Sequence, residues 1–134
     1  MNHWLLKTEP GDYSYDHLLA AGVDVWSGVA NPLALKHLRA MLAGDLCFIY
    51  HTGNEKAVVG IAEVIKAHYA DPNGDNEKQI VVDIKAQQRL HHPVTLATIK
   101  SDPAFAGWEL VRVPRLSVMP VPKPMWDDVM KRSK

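Results

Sequence analysis

The chain has 134 residues, 47% hydrophobic and 22% charged, and fifteen Lys and Arg balance fifteen Asp and Glu to a formal net charge of zero. That length suits a single domain, residues 1–134, burying about two-thirds of its unfolded surface, and the composition excludes a disordered chain. Neutrality excludes the sequence-blind attraction to phosphates that strongly basic domains use, so any nucleic-acid role must rest on a local patch and a shaped pocket.

No apolar run is long enough to span a bilayer, and the N-terminus lacks the basic start and apolar core of a signal peptide. The single cysteine, Cys47, sits between Leu46 and Phe48 and reads as a buried small hydrophobe. The expectation is an intracellular, cytoplasmic protein, or one associated with a nucleoid or nucleus, with no membrane partner and a monomer as the default.

His3–Lys7 reads as a strand that Thr8-Glu9-Pro10-Gly11 stops. Ser14 caps a helix over Tyr15–Ala21, and Gly22 ends it. Val23–Val29 holds Trp26-Ser27-Gly28, an aromatic followed by two small residues. Asn31 as N-cap and Pro32 in the first turn start a second helix. It places Leu35, Leu38, Met41 and Leu42 on one face and ends at Gly44. At the centre of the chain, Leu46–Tyr50 and Ala57–Val64 form an antiparallel hairpin around Thr52-Gly53-Asn54. The first of these strands presents Phe48 and Tyr50, then His51 where the hairpin opens, at the rim of a cavity that the rest of the chain builds.

Asp71–Lys78 is a polar loop outside the core. Ile80–Ala86 alternates as a half-buried strand does. Thr95–Lys100 forms one or two helical turns. Trp108–Val113 and Leu116–Val121 read as two short strands around Pro114-Arg115, and Pro124 opens a last helix with Met125 and Val129 on one side. Five or six strands with three or four helices make an α+β domain. A bent mixed sheet closing into a small barrel would protect its edges and enclose a pocket.

The seven histidines are scattered, and His91-His92 on a strand would face opposite ways. With no Cys pair and no HExxH, neither a metal nor another cofactor is expected. There is no nucleophile elbow, phosphate loop or dinucleotide fingerprint. Lys7-Thr8-Glu9 supplies a base, a hydroxyl and an acid; alternation separates Thr8 from its neighbours unless the Pro10 turn reunites them. Of the four tryptophans, Trp4 and Trp126 read as core. Trp26 has free space beside its ring because Ser27 and Gly28 follow, and stacking a base on such a ring is worth about 1–3 kcal/mol. The Thr8 and Ser27 hydroxyls are then placed to bond the edge of a flat ligand. Lys7, Lys36, Arg39, Arg112 and Arg115 form a phosphate-holding patch if they share a face.

Taken in order, WLLKTEP at Trp4–Pro10, Tyr13-Ser14, WSGVAN at Trp26–Asn31, GDLCFIYHT at Gly44–Thr52, GIAEV at Gly60–Val64, Asp71-Pro72 and RLSVMPV at Arg115–Val121 resemble the EVE domain family. The resemblance covers nearly the whole chain. It implies a PUA-like fold: a bent, barrel-like mixed sheet with peripheral helices, related to YTH and ASCH domains. It also implies a non-enzymatic reader of a modified base in DNA or RNA, methylated or hydroxymethylated cytosine being the ligands implied for some members. By likeness to the more distant YTH readers, Lys7 would contact phosphate, Thr8 and Ser27 the base edge, and Trp26 would form one wall of a cage. Tyr50 and His51 would add another wall and a polar contact, with Gly28, Asn31, Arg115 and Ser117 completing the binding set. The partner is then a nucleic acid carrying a modified base, or a modified nucleoside. The chain departs from the family where Ser27 and Ala30 replace a common Asp and Arg, and Leu35-Lys36 a frequent Arg-Asn. The alternative is a small amidohydrolase-like hydrolase acting on a modified nucleoside through Lys7, Thr8 and Glu9; a blander one is a scaffold with a vestigial pocket.

Overall fold

In the computed structural model, which describes residues 1–74 and 78–134, the N-terminal segment pairs with the middle of the chain. Strand β1 (His3–Thr8) lies parallel to β3 (Leu46–His51), in a register that sets Leu5 beside Phe48, Lys7 beside Tyr50 and Thr8 beside His51. Between them come α1 (Tyr15–Ala21), β2 (Val23–Trp26) and α2 (Pro32–Ala40). After β3 the chain runs through β4 (Ala57–Ala70), β5 (Ile80–Thr95), α3 (Leu96–Lys100), a 3-10 turn at Pro103–Phe105, α4 (Glu109–Arg112), β6 (Val118–Pro120) and α5 (Lys123–Arg132). The strands form one six-stranded mixed sheet in the order β2-β5-β4-β3-β1-β6, in which only β1 and β3 are parallel neighbours.

The expected α+β architecture is the one adopted, but the sheet is not closed into a barrel by hydrogen bonds: β2 and β6 remain its margins. The β4–β5 ladder shifts register at four places, and such bulges bend a strand pair and increase its twist. At one end the gap between β1 and β2 is bridged by Tyr13, whose carbonyl accepts from the Thr8 hydroxyl and whose own hydroxyl donates to Asp24 of β2. Strands β4 and β5 run beyond the lengths read from sequence, Ala57–Val64 and Ile80–Ala86. The far end of β4, Ile65–Ala70, and the segment 87–89 of β5 are exposed or half-exposed, so no apolar run marks them.

The helix starts follow local chemistry. Ser14 and His17 form a reciprocal capping box, each side chain accepting from the other's backbone N–H. Asn31 accepts from the N–H groups of Leu33 and Ala34. Helix α2 ends at Ala40, earlier than expected. Beyond it Asp45 accepts from Leu42 N–H and turns the chain into β3, so Leu42 is 61% exposed instead of buried with Leu35, Leu38 and Met41. Trp108–Val113 is not a strand. Arg112 and Val113 donate to Trp108 and Glu109 in a helical turn, leaving Leu110 buried; the two polar residues, Glu109 and Arg112, stand three apart, a helical spacing in a segment too short to decide by pattern. Residues 75–77 of the expected polar loop lie outside the described residues.

Both faces of the sheet are covered, which is why β3 is buried along almost its whole length. On one face Phe48 stacks on Trp126 of α5, ring centroids 3.7 Å apart, and Trp108 is wholly buried near Phe105. On the other, Tyr15 of α1 lies flat against β4, its hydroxyl donating 2.6 Å to the Ile61 carbonyl. Gly60 makes that approach possible, since a Cβ there would stand 2.4 Å from the Tyr15 ring. Asp45, 3% exposed, ties three segments together by accepting from Asn2 N–H, the Trp4 indole N–H and Leu42 N–H.

Gly60→Ala is expected to lower stability by about 2–3 kcal/mol through overpacking, measured by urea denaturation. Burial pushes the Asp45 carboxyl up, but its hydrogen bonds from Leu42, Trp4 and Asn2 outweigh this and hold it below its ordinary 3.8. Its stabilisation is therefore complete above that value and is lost as pH falls through the lower, folded-state one. Asp45→Asn should cost about 2 kcal/mol at pH 7 and flatten the fall in stability below pH ~4 that the parent chain shows.

Candidate functional site

Alternation along β1 sends Lys7 and Thr8 to opposite faces of the sheet, and the β1–β3 register sends Tyr50 with Lys7 and His51 with Thr8. The expected single cage therefore separates into distinct places. Thr8, Tyr13, Val25, Trp26 and Ser27 line a hollow of about 170 Å³. Lys7 and Tyr50 line another, of about 230 Å³, with Gly53, Lys56, Lys100, Leu110 and Pro114.

Trp26 is not the uncovered ring that its small neighbours suggested. It is 7% exposed, because Tyr13 meets it edge-on at 6.0 Å and β2 holds it beside Val82 of β5. The free space lies beyond it. Gly28 adopts φ +78°, a conformation that L side chains rarely enter, and carries the chain away from β2 toward Asn31. Ser27, Gly28, Val29, Ala30, Leu35 and Arg39 then line a cavity of about 540 Å³, whose far wall includes Asp71, Asn73, Lys78 and Ile80. Ser27 faces both this cavity and the smaller hollow. A volume of this size falls in the range typical of small-molecule sites.

The other expected contacts are accounted for by the fold. His51 is buried; its Nε2 accepts from Tyr15 N–H at the start of α1, and its Nδ1 lies 2.7 Å from the Glu55 carboxylate. With both ring nitrogens taken, the imidazole anchors a helix and offers no contact to a ligand. Asn31 spends its side-chain oxygen on capping. Ser117 accepts from Lys7 N–H through its carbonyl, and Arg115 is exposed on the turn before β6, outside these hollows. Of the basic residues, Arg39 reaches the large cavity and Lys7 the opposite face, while Arg112 lies 3.7 Å from Glu109.

The hydrolase arrangement is not assembled. The Lys7 ammonium donates to the Pro114 carbonyl, the Thr8 hydroxyl to the Tyr13 carbonyl, and the Glu9 carboxylate accepts from Gly11 N–H and the Thr52 hydroxyl. Acid–base catalysis would need these groups within reach of one reacting atom. The rings of His91 and His92, expected to diverge, instead meet edge-on at 4.5 Å. Among the described residues no group of three or more His, Cys, Asp or Glu could hold a metal ion, and no helix is long and apolar enough to cross a membrane. Sequence reasoning missed the roles of Tyr13, Lys56, Lys100 and Leu110 as lining residues. For Tyr13 and Leu110 no spacing signals them, since both depend on contacts distant in sequence.

The fold is thus an α+β mixed sheet with a partly apolar cavity whose wall carries Arg39, Lys78 and Asp71. The chain belongs to the EVE domain family, whose model matches residues 2–132. It is 42% identical to Rpa0253 from Rhodopseudomonas palustris, an NMR structure that it matches with a TM-score of 0.93 over 99% of this chain and 93% of that one. Human THYN1, solved in complex with 5-methylcytosine-containing DNA, matches at 26% identity and a TM-score of 0.92 over 100% of this chain and 98% of that one. Thymocyte nuclear protein 1 of Homo sapiens is 30% identical over 75% of this chain, and the match spans 56% of its own length. The chain thus spans about half the length of the curated relatives it matches.

Because His51 serves the start of α1, His51→Ala is expected to lower stability by about 2 kcal/mol in chemical denaturation, the cost of a buried N–H left without its acceptor.

Proposed function

We propose that this domain is a non-enzymatic reader that takes one modified base of DNA into the cavity running from Ser27 to Arg39. The observation that carries the reading is that cavity of about 540 Å³, set beside Trp26 and lined by both apolar side chains and a guanidinium. Human THYN1, a relative of the same fold, was solved with 5-methylcytosine-containing DNA, which supports a DNA partner and a methylated cytosine as the first ligand to try.

The physical roles follow from position. Leu35, Val29 and Ile80 offer apolar surface to a ring and its added methyl group. Asp71 presents a carboxylate, the group suited to accept from the exocyclic amine of cytosine. Arg39 is placed to meet the phosphate beside an extruded nucleotide. Trp26 lines the adjoining hollow of about 170 Å³ and not this cavity, so edge contacts and size carry more of the selection than stacking does. Extruding a base from a duplex costs a few kcal/mol, which favours single-stranded or weakly paired sites. No opposing observation brings Lys7, Thr8 and Glu9 together for hydrolysis.

Fluorescence anisotropy with labelled oligonucleotides, with and without 5-methylcytosine and in single- and double-stranded form, tests this. The methylated single strand should bind most tightly. Ala30→Trp, at an exposed position on the cavity wall, should abolish the discrimination without loss of stability. Arg39→Ala should weaken all oligonucleotides alike and lower the salt slope by about one. Equal affinity for methylated and plain strands, or an unaffected Ala30→Trp variant, would remove the proposal. Preference for RNA of the same sequence would redirect it.

A further inference from the structure

The hollow on the opposite face of the sheet has no part in that reading. Its floor is Tyr50, 3% exposed, with Leu110 and Pro114 beside it, and its walls carry Lys7, Lys56 and Lys100. These lysines come from three separate segments: β1, the β3–β4 turn and the end of α3. No Asp or Glu is among the described residues lining this hollow. Among the described residues none of the three lysines has a carboxylate partner. The Lys7 ammonium stands 5.6 Å over the Tyr50 ring and donates 2.8 Å to the Pro114 carbonyl, a neutral acceptor that leaves its charge uncompensated. Burial lowers the pKa of Lys7, the sign of an ammonium drawn out of water without a counter-charge.

The turn that supplies Lys56 is held in an unusual shape. Lys56 has φ +47°, the only non-glycine in the left-handed region among the described residues. Its carbonyl accepts from Leu96 N–H, which fixes the turn against the start of α3. The nearby carboxylates stand outside the lining and pair with none of the three ammonium groups: Glu55 lies against His51 and lines the adjoining hollow, and Glu9 accepts from the Thr52 hydroxyl. An adjoining hollow of about 430 Å³ shares Lys56, Leu96 and Lys100, so the site opens outward. Three like charges gathered around one concavity repel one another, and an anion placed among them removes that repulsion. Lysine is a compact point charge suited to phosphate, whereas planar carboxylate recognition favours arginine.

We propose that the hollow lined by Lys7, Lys56 and Lys100 is a second binding site, for a phosphate monoester whose attached carbon framework lies against Tyr50 and Leu110. The monoester can come from a free nucleotide or from the 5′-terminal phosphate of a nucleic acid strand. The hollow takes the phosphate and the atoms next to it, since about 230 Å³ is below the usual range for a whole drug-sized ligand. It lies across the sheet from the Ser27–Arg39 cavity, so the two sites are separable by mutation.

The test is titration of the ¹⁵N-labelled protein with inorganic phosphate and with cytidine 5′-monophosphate, at constant ionic strength against a chloride reference, following the Gly53, Lys56 and Lys100 amide signals. Saturable shifts are expected with both phosphates and none with chloride. Lys56→Asn, which tolerates the left-handed backbone, combined with Lys100→Gln should weaken binding at least tenfold; both positions are exposed, so the fold is retained. Ala30→Trp should leave the phosphate response unchanged, and the Lys56/Lys100 double variant should keep any base discrimination. A second arm compares oligonucleotides with a 5′-phosphate and a 5′-hydroxyl. Tighter binding of the phosphorylated strand assigns the site to strand ends, and saturation by the nucleotide with no difference between strands assigns it to a free metabolite. Shifts equal to those in chloride, or unchanged in the double variant, overturn the proposal whatever becomes of the base-reading site.

Discussion

Successive side chains of a strand leave opposite faces of its sheet, and the parallel pairing of β1 with β3 turns that rule into a partition of the molecule. Leu5, Lys7, Phe48 and Tyr50 share one face, and Trp4, Leu6, Thr8, Cys47, Ile49 and His51 the other. Everything added later in the chain respects this division. Trp126 stacks on Phe48 from one side; Tyr15, Trp26 and His37 gather near His51, Thr8 and Trp4 from the other. A slip of one residue in the β1–β3 register would exchange the two sets and put a lysine into the packed side. Asp45 opposes such a slip, because Asn2, Trp4 and Leu42 reach its carboxylate together in one register.

This partition also explains which parts of the protein were legible in advance. Helix caps are local: Ser14 with His17 and Asn31 with Pro32 act within four residues, so the starts of α1 and α2 could be read to the residue. The central hairpin was legible because a glycine-containing turn divides two β-rich runs. The ends of elements were less so. Helix α2 stops early for a carboxylate that also serves the N-terminus, and nothing local at Leu42 announces it. The six-stranded order was not readable, since the β1–β3 and β2–β5 pairings join segments about forty and sixty residues apart. The site shows the same contrast. Family motifs pointed to Lys7, Thr8, Trp26 and His51 as neighbours in sequence pattern, yet strand parity divides Lys7 from Thr8. Likewise His51 turns inward because an amide of α1, thirty-six residues away in sequence, needs an acceptor.

Electrostatically the chain behaves as its neutral total requires. The charges lining these hollows stand apart: Arg39, Lys78 and Asp71 at one cavity, and Lys7, Lys56 and Lys100 at another on the far face. With a formal net charge of zero, the recognition proposed for each concavity would rest on fit more than on long-range attraction. Ser27 and Ala30, on the wall of the large cavity, add no charge to it.

Trp26 is buried and lines the smaller hollow, so stacking on it adds little to the selection proposed for the large cavity. An exposed indole gains about 1–3 kcal/mol from stacking any base, but that gain is indifferent to a small substituent. A ring 7% exposed forgoes most of it, and what remains is contact between the substituent and the apolar wall at Val29, Leu35 and Ile80. One buried methyl contributes about 0.8 kcal/mol by area, roughly a fourfold preference, and a tightly fitted one about 1–3 kcal/mol, or 10–200-fold. In the proposed reading, larger discrimination would come from polar groups left without partners when the wrong base enters, Asp71 and Ser27 being the side chains on the cavity wall that could impose that penalty. For the reader proposed above, weak overall attraction combined with such a penalty would make the preference between bases exceed the affinity for nucleic acid in general, as working among a large excess of unmodified sites requires.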